Sequence, residues 1–124
     1  IDRENNRIFT SGRNKLLAVL DANSGKVIQT LPIGGGVDAC VFDKADHLIF
    51  TSNGEGNITI IKAQSPDEYK VLENIPTAQG ARTMAFDEKT RRIYSLAAIP
   101  ENSAPENNTK NAIKTFSVLV IDRK

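Results

Sequence analysis

Three stretches of the chain repeat one another, and no other feature limits its fold as severely. They run Asp2-Arg-Glu-Asn-Asn-Arg-Ile-Phe-Thr10, Asp43-Lys-Ala-Asp-His-Leu-Ile-Phe-Thr51 and Asp87-Glu-Lys-Thr-Arg-Arg-Ile-Tyr-Ser95. Counting from Asp2 to Asp43 and from Asp43 to Asp87 gives spacings of 41 and 44 residues. A unit of that length is too small to close a core of its own, so it must bury its faces against copies of itself. Function in such a chain belongs to the array.

Within each copy, short runs rich in Val, Ile, Leu, Phe and Thr alternate with clusters of Gly, Asn, Asp, Ser and Pro, the rhythm of strands and turns. No amphipathic stretch of helical length interrupts them. Ten strands are expected, at 7–11, 16–21, 26–31, 37–42, 48–52, 57–62, 69–74, 82–86, 92–97 and 116–121. Ala22-Asn-Ser-Gly-Lys26 marks a hairpin, because Gly25 takes a positive φ without steric cost; Asn53-Gly54 opens another. Repeats of about 40–45 residues built of short strands are those of β-propeller blades, so the fold class read here is all-β, with about three partial four-stranded antiparallel blades.

Lettering the strands of a blade A to D from the axis outward, the chain reads BCD, ABCD, ABC. The blades are expected at about 1–36, 37–80 and 81–124, within one partial propeller domain. Two blade faces and two sheet edges then stand open, an invitation to pair with another chain. Self-association through those open edges is one expected partner mode. The segment 98–114, with Pro100, Pro105 and several Asn, is expected to be an insertion loop.

Composition removes several function classes. Lys and Arg total 16 against 15 Asp and Glu, with no basic run, so no footprint for nucleic acid is present. The longest apolar runs, such as Val118-Leu-Val-Ile121, are strand-sized, and no membrane span is read. Cys40 is the only cysteine, which excludes an intrachain disulfide and a cysteine-rich zinc site. No cofactor or metal site is read from the sequence.

The copies resemble the YVTN-type β-propeller repeat, in which an Asp-Pro-x-Thr-Asn-Arg-Val-Tyr pattern leads to a Val-Ile-Asp strand and Thr-Gly-Lys-Val-Val-type residues. The matching stretches are Asp87 to Tyr94, Val19-Leu20-Asp21 with Ser24-Gly25-Lys26-Val27-Ile28, and Val120-Ile121-Asp122. Departures are the missing Pro after each Asp, Leu48 in place of the Arg, and the insertion. Gly36-Val-Asp-Ala39, Thr51-Ser-Asn-Gly-Glu-Gly56, Gly80-Ala-Arg-Thr-Met84 and Phe116 to Ile121 further resemble the C-terminal part of bacterial YncE-like propeller proteins. That resemblance implies a ring of about seven blades, a natural C terminus at or near Lys124, a periplasmic or extracellular location, and, for most members, no assigned chemistry.

Propeller ligands commonly meet the ring at one mouth, on the B-to-C and D-to-A connections. Asp38 and Arg82 follow the aligned glycines Gly36 and Gly80 by two residues, and both are expected there. Together they offer a carboxylate and a guanidinium for charge-assisted hydrogen bonds to a polar ligand; the alternative is an ion pair tying two blades together. Arg13, Asn14, Asn53 and Glu55 complete the candidate set, with Lys15 beside them. Gly34-Gly35-Gly36 reads as a tight crossover, since no helix follows to make a phosphate cradle. His47 reads as a surface turn residue and Cys40 as a small hydrophobe. Phe42 and Phe86 read as packing between blades. The function expected is a non-catalytic ligand-binding or scaffolding module for a small molecule or protein, more an interaction unit than an enzyme. Two alternatives remain: part of a propeller enzyme, lactonase-like or linked to haem or quinone, with catalytic residues in other blades, and a structural surface-layer repeat.

Overall fold

The computed structural model describes residues 1–100 and 113–122. All ten expected strands are present: β1 (Arg7–Gly12), β2 (Leu16–Asp21), β3 (Val27–Pro32), β4 (Val37–Asp43), β5 (Leu48–Asn53), β6 (Asn57–Ser65), β7 (Glu68–Pro76), β8 (Met84–Asp87), β9 (Arg92–Pro100) and β10 (Ile113–Ile121). Among the described residues there is no helix. The strands form three antiparallel sheets, ordered β1-β2-β3, β4-β5-β6-β7 and β8-β9-β10. One boundary needs correction. The insertion expected over 98–114 is shortened at both ends, because pairing continues through Phe116 with Ala98 to Ile113 with Pro100, across a bulge. Its remainder, 101–112, lies outside the described residues.

The sheets pack face to face, and the middle one is covered on both sides. Leu17, Val19 and Leu31 of the first sheet meet Ile49, Ile61 and Tyr69 of the second. On the other face, Leu48, Phe50, Ile58 and Ile60 meet Met84 and Ile93 of the third. Strand β5 is therefore buried along its whole length, without the in–out alternation of a strand facing water. One aromatic contact recurs at equivalent positions of the repeat: Phe9 lies 5.1 Å from Phe42, and Phe50 lies 5.7 Å from Phe86. Each such pair adds about 0.5–1.5 kcal/mol beyond the area it buries. Phe42 and Phe86 thus pack between sheets, as the alignment requires.

The repeated Asp explains the turn that follows it. Asp2 Oδ1 accepts hydrogen bonds from the amides of Glu4 and Asn5, Asp43 Oδ1 from Ala45 and Asp46, and Asp87 Oδ1 from Lys89. Four positions after each Asp the backbone turns left-handed, at Asn6 (φ 53°), His47 (φ 51°) and Arg91 (φ 64°). Only glycine, and to a lesser degree Asn and Asp, visits that region cheaply, which gives a physical reason for Asn at this position in the repeat.

The positions that depart from the repeat depart as a pair. Arg7 lies opposite Asp21 and holds it at 2.9 Å, and Arg92 holds Asp122 at 2.9 Å. At the equivalent site of the middle sheet, Leu48 lies opposite Lys62, so the cation and the acid have been lost together. Lys62 instead donates to the Asp46 carbonyl at 2.7 Å.

Arg91 compensates its backbone strain. Its guanidinium donates to the carboxylates of Asp43 and Asp46 of the middle sheet and stacks 5.6 Å from the Phe86 ring centroid. The same substitution at two equivalent positions should therefore have opposite signs. His47→Asn relieves a left-handed residue and should stabilise by about 0.5–1 kcal/mol. Arg91→Asn strips the buried Asp43 of its partner and should destabilise. Urea denaturation of both variants checks the contrast.

Candidate functional site

At one end of the sheets the connecting loops are laced together through their backbones. The Ile33 amide donates to the Lys15 carbonyl (2.9 Å), Gly54 to Gly36 (2.9 Å), Glu55 to Gly35 (3.1 Å), Thr77 to Gly56 (2.8 Å) and Gly80 to Gly54 (2.8 Å). Gly36 and Gly80, equivalent in the repeat, enter their inner strands at φ 69° and 81°, where a side chain would be strained. Gly54 sits between them, and a Cβ there would lie 2.7 Å from Arg82 Cδ and 3.1 Å from the Gly36 carbonyl oxygen. The loops that carry the candidate residues are thus fixed to one another.

Glu55 is held from three sides at this end. Its carboxylate accepts from Asn57 Nδ2 (2.9 Å) and Lys15 Nζ (3.3 Å). The hydrogen bond from Asn57, then one from the Gly35 backbone, then Lys15 hold its pKa below the usual carboxylate value. Arg82 is exposed, its stem lying over Gly54, while its carbonyl accepts the Ser52 hydroxyl. Asp38 is exposed and accepts from Thr83 Oγ1 at 3.3 Å. Among the described residues no ion pair joins Asp38 to Arg82. Arg13 and Asn14 are exposed at the tip of the β1–β2 turn.

Asn53 departs from its expected place. It is fully buried, with its amide nitrogen donating to Asn57 Oδ1 (2.7 Å) and Thr59 Oγ1 (3.0 Å) behind Gly34. Strand alternation puts it on the same face of β5 as Ile49 and Thr51, inside the joint between the first two sheets. It supports the loops from beneath and does not present itself to solvent. Sequence reasoning missed Asn57 and Thr59, which complete this polar layer.

The remaining candidates stand where the sequence put them. His47 is exposed in its turn. Burial pushes the Cys40 thiol up to about 11, so the reactive thiolate is scarce at neutral pH. Among the described residues no three His, Cys, Asp or Glu side chains gather closely enough to hold a metal ion. A cleft of about 620 Å³ opens between the second and third sheets near Asp43 and Arg91. Its walls are the apolar core residues Phe50, Ile60, Phe86 and Ile93, and the rim charges Arg91, Asp43 and Asp46 already engage one another. At the loop end Lys15 pairs with Glu55, while Arg82 and Asp38 are exposed and not paired with each other.

No protein-family profile matches the sequence, and a search of curated proteins gave no match. Among solved structures, the chain is similar to one in the crystal structure of the Mitotic Checkpoint Complex, with a TM-score of 0.65 and 19% identity over 73% of this chain and 29% of that one. It is also similar to the dihydro-heme d1 dehydrogenase NirN in complex with DHE, with a TM-score of 0.63 and 15% identity over 77% of this chain and 20% of that one. Both are β-propeller proteins. The three sheets are accordingly propeller blades, and the chain spans less than a third of the length of either neighbour.

Three aspartates at turns share one pH response. Asp21 and Asp87 lie below the ordinary value of 3.8, the first chiefly through the Ser24 amide and hydroxyl, the second chiefly through the Thr90 hydroxyl. Burial pushes Asp2 up, yet hydrogen bonds from the Asn5 side chain and from the Asn5 and Glu4 amides carry it below 3.8 as well. A folded pKa below the unfolded one means stabilisation that is complete above the unfolded value and vanishes as pH falls through the folded values. Stability should therefore be flat from neutrality to about pH 5 and fall below about pH 4. Asp87→Asn should make the fall shallower, which thermal melts across a pH series read directly.

Proposed function

We propose that this chain is part of a non-catalytic binding or scaffolding propeller of the YVTN type, similar to YncE-like proteins of the periplasm or extracellular space, which meets its ligand at the laced loop end. The observation that carries this reading is the exposure of Asp38 and Arg82, two opposite charges on backbone-fixed loops that do not neutralise each other. A rigid platform with free charge of both signs favours a polar ligand that carries both, such as an amino acid or a peptide terminus, through charge-assisted hydrogen bonds. Of the solved neighbours, one belongs to a protein complex and the other is a dehydrogenase. Fold alone therefore does not decide between binding and catalysis, and the reading rests on the residues.

The test is a thermal-shift screen against amino acids, dicarboxylates and short peptides, followed by calorimetry on the hits. Arg82→Ala and Asp38→Ala should each weaken a hit by about 10-fold, equivalent to roughly 1.4 kcal/mol, and leave the melting temperature within a few degrees. A screen without hits, or hits indifferent to both substitutions, contradicts the proposal.

A further inference from the structure

Only at Asn53-Gly54 does the sequence place Gly directly after Asn, and the fold holds back the chemistry that this pair allows. In an open chain the Gly amide nitrogen reaches the Asn side-chain carbonyl carbon with little hindrance, because Gly has no Cβ and its backbone turns freely. A bond forms from that nitrogen to Cγ and the Cγ–Nδ2 bond breaks, closing a five-membered imide. The amide proton leaves with the side-chain nitrogen as ammonia. Water then adds to the imide. Opening at Cγ gives Asp, and opening at the main-chain carbonyl gives isoaspartate, whose backbone runs through one extra carbon.

The folded chain restrains both reacting groups. Asn53 is 0% exposed, so water does not reach its side chain. The leaving nitrogen, Nδ2, is held by Asn57 Oδ1 and Thr59 Oγ1, and the attacking one is held by the Gly36 carbonyl, to which the Gly54 amide donates at 2.9 Å. The Asn53 carbonyl accepts from Gly56 at 3.0 Å, and Asn53 pairs with Asn57 across β5 and β6, which fixes the backbone around the reacting bond. Gly34 packs so closely behind the side chain that a Cβ there would lie 2.7 Å from Nδ2. Gly34 and Gly36 belong to the connection that leaves the first sheet, so the restraint lasts only while the first two sheets stay joined.

The product does not fit the site that the reactant fills. A carboxylate at position 53 has no N–H to give Asn57 Oδ1 or Thr59 Oγ1, and the Thr59 hydroxyl is already donated to Asn74. Among the described residues nothing donates to Asn53 Oδ1, so reclosing the joint would bury a negative charge without a donor, which is costly. We infer that Asn53-Gly54 is a deamidation site gated by the joint between the first two sheets. Closed, the joint keeps it inert; opening exposes it to water, and its conversion opposes reclosure. The laced loops feel the change, because Asn57 joins Asn53 to Glu55. The inference does not rest on the ligand reading.

The test is peptide mapping by mass spectrometry during incubation in mildly alkaline buffer, with and without guanidinium chloride. In denaturant Asn53 should convert faster than any other Asn, and Gly54→Ala should slow it about tenfold or more by obstructing the amide nitrogen. In the folded chain the conversion should be at least about 100-fold slower, since it waits on opening of a buried joint. Thr59→Val removes one acceptor of Nδ2 and should speed the folded-state reaction about tenfold without changing the denatured rate. Should Thr59→Val fail to fold, Ile33→Val loosens the same joint more gently and should speed it a few-fold. Asn53→Asp, the product itself, should melt about 5 °C or more below the wild type. Equal rates with and without denaturant, or a folded-state rate indifferent to the loosening variant, overturn the gating. An Asn53→Asp variant as stable as the wild type overturns the claim that conversion opposes reclosure.

Discussion

Everything in this chain depends on sheets burying one another face to face. A blade has two apolar sides and cannot bury both by itself, so it depends on its neighbours. The middle sheet satisfies both, which is why Leu48 to Asn53 is buried at every position. The aromatic pairs Phe9–Phe42 and Phe50–Phe86 show the same contact made twice, once at each joint. The sequence repeat is therefore a repeat of interfaces as much as of strands.

The two ends of the sheets use charge differently. At the end bearing the Asp turns, ionic groups are spent on structure: Arg91 ties the third sheet to the second, and Arg7 reaches the Pro66 carbonyl and Asp67 from the first. At the laced end only Lys15 and Glu55 pair among the described residues, leaving Arg82 and Asp38 exposed. Surface pairs of the Lys15–Glu55 kind add little stability. The loops there are joined mainly by backbone hydrogen bonds.

The strands were legible because glycine, asparagine and aspartate punctuate every repeat and because the apolar runs between them are strand-length. Strand ends were less so: β6 runs on through Ala63-Gln64-Ser65, β7 ends at Pro76, and β9 and β10 pair on into the Pro-containing segment read as an insertion, where a proline or polar residues hide the continuing strand. Asn53 looked like a mouth residue because it opens a turn, yet counting by twos from Ile49 already places it inward. Asp38 and Arg82 were found by aligning glycines, but their separation in space could not be read from a one-dimensional alignment. The paired change at Leu48 and Lys62 was visible only as an isolated departure until the register set the two residues opposite each other.

Amide hydrogen exchange on the folded chain tests most directly whether burial between sheets governs the structure. If it does, the amides of β5 should be the slowest of all, those of β2 and β9 intermediate, and those of the edge strands β3 and β10 fastest. Protection as strong in β3 or β10 as in β5 would mean that each sheet is stable by itself, and would contradict the view that the array holds its members in place.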